Sequence, residues 1–259
     1  MPLPQWKPTL TALHLASQVI STARLADISR LPNHLHHSLT PTVNGSSTGP
    51  LPHLGTFEVN YRTGKLVHTQ NSVEISSHDI NGATQRGLFE AMSEEIHDMD
   101  YDVALQAPSE LSDDMLSYDS AHGSAYADLD WQMFRGIADA RAHLNGYQTP
   151  LVLWSHGFDL STIWFFDGEN EEHDPHLNMG FSPGTSSHPE PYIYAYAWPV
   201  LPSIRDGLKN GWTWHTDWST HGGLLPYSAF GDTDDPAATV YARLSEFAAR
   251  AQIAYAADD

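Results

Sequence analysis

The spacing of apolar and polar residues changes several times along this chain, and each change predicts an element. Over residues 9–29, Leu10, Leu13, Ile20 and Ile28, with the small Ser17 among them, recur at helical spacing without an intervening Gly or Pro, which predicts a helix. The pattern then shortens to strand-like stretches over 37–44, 56–61 and 66–76, the last two joined by the turn Thr63-Gly64-Lys65. Asp79 is the expected cap of a helix reaching about residue 97, and a further strand is expected over 101–106. Residues 107–122 are rich in Pro, Ser and Asp and have no period, so they read as a long polar loop. A helix over 123–145 carries Leu129, Met133, Ile137 and Leu144 on one side and stops at Asn145-Gly146. Strands are expected over 149–155, 159–166, 177–182, 191–198 and 223–229, with a loop-rich interval at 167–190. A last helix, capped by Asp234 or Asp235 and opened by Pro236, runs to about residue 256.

Short strands joined by hairpin-like turns, with helices that do not alternate regularly with them, predict an α+β fold: mainly antiparallel sheet with about four helices. One globular domain over 1–259 is the expectation. Both segments 1–106 and 123–259 run from a helix through strands to a helix or polar break, with the loop 107–122 between them. Two weakly similar halves are therefore a second reading.

Composition narrows the chemistry. There is no Cys, which excludes disulfides, thiol catalysis and thiolate metal sites. The formal charge is −20 with His neutral, and protonating all 16 His would bring it to −20 + 16 = −4. So negative a surface repels phosphate backbones and anionic lipid, so neither nucleic acid nor membrane is expected as a partner. The opening Met1-Pro2-Leu3-Pro4-Gln5-Trp6-Lys7-Pro8 lacks the basic and apolar stretches of a secretory signal, and the longest apolar run, 192–202, is too short to span a bilayer. The expected location is the cytoplasm, where Asn44-Gly45-Ser46 reads as a turn rather than a glycosylation site. With 41% apolar and 11% aromatic residues there is material for a core and for an aromatic-walled cavity.

Several segments in order carry a family resemblance. They are Trp6, Thr11-Ala12-Leu13-His14-Leu15 with Gln18 and Arg24, Asn33-His34 with His37, Phe57-Glu58, Phe158-Asp159-Leu160, Gly180-Phe181 with Pro183-Gly184, Glu190-Pro191, Tyr192-Ile193-Tyr194-Ala195-Tyr196, and Leu225-Pro226-Tyr227. With them the chain resembles an uncharacterised family of bacterial and fungal proteins, domain of unknown function 5996, over nearly its whole length. It departs at Leu35 and His36, where the family usually has tryptophans, and at Ser182, where the family tends to have an aromatic. The resemblance implies one globular unit and little chemistry.

The histidines cluster at His34-Leu35-His36-His37, at His173-Asp174-Pro175-His176 and at His215 to His221. Imidazole is the side chain best suited to act as a base, acid or metal ligand near neutral pH. Read as the start of a strand, residues 34–37 would send His34 and His36 one way and His37 the other. His14 and Gln18 lie one helical turn apart, with Arg24 further along the same helix, either as a polar edge or aimed into a pocket. The leading expectation is a pocket for a small-molecule ligand. His34 or His37 would be its general base, Asp159 the orienting carboxylate, and His14, Gln18, Arg24, Asn33, His173 and Tyr194 its lining, Tyr194 as hydrogen-bond donor. Two alternatives stand beside it: a metal-dependent enzyme using His and carboxylate ligands, and a non-catalytic interaction or structural protein with its His scattered over the surface. The metal reading would use His34 and His36 with a carboxylate from Glu58, Asp159 or Asp174, but no helical two-His signature occurs, so no metal site is assigned, and no cofactor or oligomeric state is indicated.

Two tempting motifs fail. Gly180-Phe181-Ser182-Pro183-Gly184 matches the hydrolase elbow, but Pro183 has no N–H to give the oxyanion. Asp98-Met99-Asp100-Tyr101-Asp102 resembles a calcium loop but has Val103 in place of the required Gly.

Overall fold

The computed structural model describes every residue except Met1, Pro2, Asp100, Tyr101, Asp102, Ala104, Ser109, Ser219 and Asp259. The chain divides into two compact units. The first holds residues 1–131 with 153–158, the second residues 132–152 with 159–259.

In the first unit, helix α1 (Leu3–Asp27) buries Leu13, Ala16, Ile20 and Ala23 fully and packs on strand β3 (Thr56–Asn60). It starts earlier than the periodicity indicates and contains Pro8 in its second turn, where the ring removes one i→i−4 hydrogen bond. Strands β1 (Ser38–Thr42), β2 (Gly45–Ser47), β3, β4 (Lys65–Gln70) and β5 (Val73–Asp79) form an antiparallel meander in sequence order. Leu153 and Trp154, from β6 (Val152–Trp154), pair on the free side of β1. The expected turn is there: Gly64 has φ +65° and its N–H donates to the Asn60 carbonyl at 2.9 Å. The single expected strand 66–76 is two strands, because Asn71 and Ser72 both take positive φ in a two-residue hairpin turn.

Helix α2 (Gln85–Asp98) is capped by Thr84, whose Oγ1 accepts from Gly87 N–H at 2.9 Å, while Asp79 ends β5. Among its described residues, the polar segment after it has no regular structure until helix α3 (Ser120–Ala142) begins, yet it is fastened down. Leu116 is buried, exchanges backbone hydrogen bonds with Gly82 and Ala83, and lies just past Asp113, which pairs with Arg86. Most of the expected strand 101–106 lies outside the described residues, and Val103, Leu105 and Gln106 belong to no strand. The same holds for the core of the calcium-like segment, Asp100–Asp102.

The second unit carries strands β7 (Asp159–Phe165), β8 (His176–Ser182), β9 (Tyr192–Trp198), β10 (Thr213–His215) and β11 (Gly222–Pro226), adjacent in the order β7-β8-β9-β11-β10. A short helix α4 (Pro202–Gly207) and β10 escape the periodicity because each is too brief to show one. Helix α5 (Pro236–Asp258) begins as expected, with Asp235 Oδ1 accepting from Ala238 N–H at 3.0 Å. α5 packs on β8 and β9. Alternation along β9 sorts its residues: Ile193, Ala195 and Ala197 are fully buried on the face α5 covers, where the Phe247 ring also lies against Gly223. Tyr192, Tyr194 and Tyr196 take the other face.

The fold is thus α+β. Among the described residues all strand pairings are antiparallel, and four helices exceed six residues. None of these helices is long and apolar enough to cross a membrane.

Candidate functional site

The second unit's tyrosine face is built from register. Ser161 of β7 pairs with Gly180 of β8, and Gly180 pairs with Tyr194 of β9, so these three residues share a row. Neighbouring rows bring Asn178 against Tyr196 and Ser182 against Tyr192. Gly180 is the enabling position. A methyl group there would stand 2.3 Å from Tyr194 Cζ and 2.4 Å from its Oη, so the Tyr194 ring lies across β8 over the place a side chain would fill. Lying there, its hydroxyl reaches β7 and donates to Asp159 Oδ2 at 2.5 Å. Asn178 Nδ2 donates to Tyr196 Oη at 2.8 Å, and the Tyr194 and Tyr196 rings are nearly parallel, 12° apart with centroids at 6.2 Å.

The row continues past Tyr192, which lies 6.2 Å from Tyr194 and stacks on Trp218 at 6.2 Å. Trp218 stacks in turn on His215 at 5.3 Å, and His215 Nδ1 is 3.2 Å from His188 Nε2. Burial, then the Asp159 charge, pushes the Tyr194 phenol well above its ordinary value. The same two causes push Tyr196 up to about 12. Both phenols stay protonated at any physiological pH, so Tyr194 is a fixed donor to Asp159. Burial first, then the neighbouring His188, lowers the His215 pKa and favours neutral imidazole.

Of the residues singled out from sequence, Asp159 and Tyr194 are therefore brought together. His173 is an exposed loop residue 4.0 Å from Glu172. The ordering group of that loop is Asp174, which accepts from the Glu169 and Asn170 N–H groups at 2.8 Å each, and the buried imidazole is that of His176.

The others belong to the first unit. Residues 32–37 form a 310 turn, with Asn33 and His34 at φ +50° and +53°, and not the start of a strand. The expected alternation of faces is corrected accordingly. The rings of His34, His36 and His37 gather on one side, with His36 and His37 centroids 4.2 Å apart and His34 6.3 Å from each. Asn33 is buried beneath this turn, and His34 and His37 are exposed. Burial, then mutual repulsion with the neighbouring imidazoles, lowers the His37 pKa.

Arg24 is engaged with backbone: Nη1 donates to the Thr48 carbonyl at 2.7 Å and Nη2 to that of Leu35 at 3.4 Å. His14 stacks on Phe158, and its Nε2 contacts the Ser155 carbonyl at 2.9 Å, with Gln18 Nε2 3.2 Å away. Gln18 Oε1 accepts from Gln85 Nε2 at 2.9 Å. This is a part-buried network that ties α1 to Gln85 and Ser155, and burial holds the His14 pKa down.

Sequence reasoning passed over three things. The first is the role of Gly180, quoted only within the elbow motif and the family resemblance, and of Asn178 beside it, which carries no signature. Asp130 on α3 reads as a solvated helix residue, yet it is 3% exposed and burial pushes its pKa up to about 7, with a hydrogen bond from Tyr126 opposing. The signal was available in Tyr126, one turn earlier on the same helix, and in the apolar Leu129 and Met133 beside it. The third is Glu95, whose oxygens lie 3.5 Å from His68 Nδ1 and 3.6 Å from His78 Nε2. Among the described residues no group of three or more His, Asp or Glu is arranged to hold a metal ion.

The hydrolase-like motif ends in ordinary strand. Ser182 closes β8, its Oγ accepting from Gly184 N–H at 3.2 Å, and no helix follows. No curated protein and no solved structure matches the chain. A family model does match it, over residues 1–257, and the chain therefore belongs to the family of unknown function DUF5996.

Proposed function

We propose that this protein binds a small molecule on the tyrosine face of its second unit, with Asp159, Tyr194, Tyr196 and Asn178 as the polar contacts and Tyr192 and Trp218 as further aromatic surface. The observation that carries the reading is the Asp159–Tyr194 pair, a carboxylate and a phenol held 2.5 Å apart on the sheet face opposite the one α5 packs on. Few convergent polar groups among aromatic rings are what small-molecule sites commonly offer. Asp159 and Tyr194 are each half-buried.

The test is a thermal-shift screen of a chemically diverse library against the wild type, Asp159→Asn and Tyr194→Phe. Ligands that raise the wild-type Tm and fail to raise that of Asp159→Asn support the reading. A library that stabilises nothing, or whose hits are indifferent to both substitutions, overturns it. Ala at His34 and His37 in the same screen separates it from a reading in which those imidazoles act: hits retained favour the sheet face alone, and hits lost give the imidazoles a part.

A further inference from the structure

Resting on that reading, we infer that the ligand is an organic cation bearing N–H donors, a primary or secondary ammonium or a guanidinium. Four observations converge. Tyr194 lies over Gly180 with its hydroxyl tied down to Asp159, which leaves the ring face and not its polar edge to a ligand. A phenol donating to a carboxylate has an electron-rich ring, and such faces attract cations. The parallel Tyr196 ring extends the surface.

Second, the site has an unanswered acceptor. Asn178 is 8% exposed and its Nδ2 is used on Tyr196, while its buried Oδ1 accepts from no group. A buried acceptor left empty is costly, and an N–H on the ligand would fill it. This favours a protonated amine over a quaternary ammonium. Third, residues 142–204, which supply β7, β8 and β9, contain no Lys or Arg and seven Asp or Glu. These strands and their connections are thus acidic and carry neither Lys nor Arg. Fourth, the chain's formal charge of −20 concentrates cations near its surface. A neutral sugar would also stack on tyrosines, but it would draw nothing from the carboxylate-rich, lysine-free surround.

The experiment is saturation-transfer NMR on the full chain at pH 7.5 with three probes: n-butylammonium, n-butanol and methyl β-glucoside. The ammonium is expected to receive saturation well above the isosteric alcohol. Asp159→Asn should weaken it by about tenfold, the scale of one charge-assisted contact. Asp206→Asn, the same charge change at an exposed position on α4, should leave it unchanged. Equal saturation of n-butanol or the glucoside, or equal weakening by Asp206→Asn, overturns the inference. Should Asp159→Asn not fold, Tyr194→Leu replaces it and must weaken the ammonium more than the alcohol. If all three probes are silent while the library yields hits sensitive to Asp159, the ligand class is wrong and the binding site stands; if the library is silent too, both fall.

Discussion

Each unit of this protein sets an aspartate among tyrosines, and the two groups differ in what surrounds them. Asp130 lies with Tyr126 and Tyr61 in the first unit, where all three are at most 3% exposed. Asp159 lies with Tyr194 and Tyr196 on the sheet of the second, where none of the three is fully buried. Sealing raises the cost of charge, so Asp130 titrates near neutrality. Asp159 also has a phenol as its donor, but it is only half-buried and keeps a part-exposed aromatic face beside it. The same residue types give a stability liability in one place and a part-exposed aromatic face in the other. Accessibility, and not chemical identity, separates the two.

The comparison can be broken by titration. The Asp130 pKa is raised, so its contribution to stability is fully present below pH 3.8 and is lost as pH rises towards about 7. Three pKa units correspond to about 4 kcal/mol. Asp130→Asn should therefore be more stable than wild type by up to about that amount at pH 8 and equal to it near pH 4, measured by urea unfolding. A difference independent of pH would remove the contrast.

Gly180→Ala comes next. Its methyl would meet Tyr194 and, at 2.5 Å, the Leu160 carbonyl. A loss of about 1–3 kcal/mol is expected, and part of it should be recovered when Tyr194→Ala is added, a coupling read from a double-mutant cycle. No recovery would mean that the Tyr194 ring does not rest on this glycine.

Tyr194→Phe keeps the ring and deletes the bond to a carboxylate. On a partly accessible face it should cost about 1 kcal/mol in thermal or chemical unfolding. A cost above about 3 kcal/mol would make the pair a core element like the Asp130 group and so erase the distinction.

The smallest effect concerns the surface as a whole. Protonation of exposed His between pH 7.5 and 5 moves the charge from −20 towards −4 without reaching it, since His14, His36, His37, His176 and His215 all have lowered pKa values. Modestly increased light scattering over that range is expected, and none at all would show that the surface charge does not govern association.

Much of the fold was legible because its long elements obey one period each. Asp235 and Pro236 mark the start of α5, and the alternation Tyr-Ile-Tyr-Ala-Tyr marks β9 and sorts its two faces. What failed did so for local reasons. Asn71 and Ser72 turn the chain in two residues, and neither is the Gly that usually announces such a turn. Thr84 outcompeted Asp79 as a cap because β4 had already paired Asp79 into the sheet. The His-rich turn was misjudged because Asn33 and His34 adopt positive φ, a conformation their side chains do not advertise. Asp159 and Tyr194 could be selected by type and place. Their meeting could not, since it depends on a residue with no side chain.

That dependence gives the family a signature that can be looked for without any biochemistry. A bulky group at the position of Gly180 and an aromatic at that of Tyr194 are mutually exclusive occupants of one volume. Among related chains the two positions should therefore change in concert, glycine accompanying the ring and a larger residue accompanying its loss. Lineages that have abandoned the pair should also be free to drop the acid that follows Phe158.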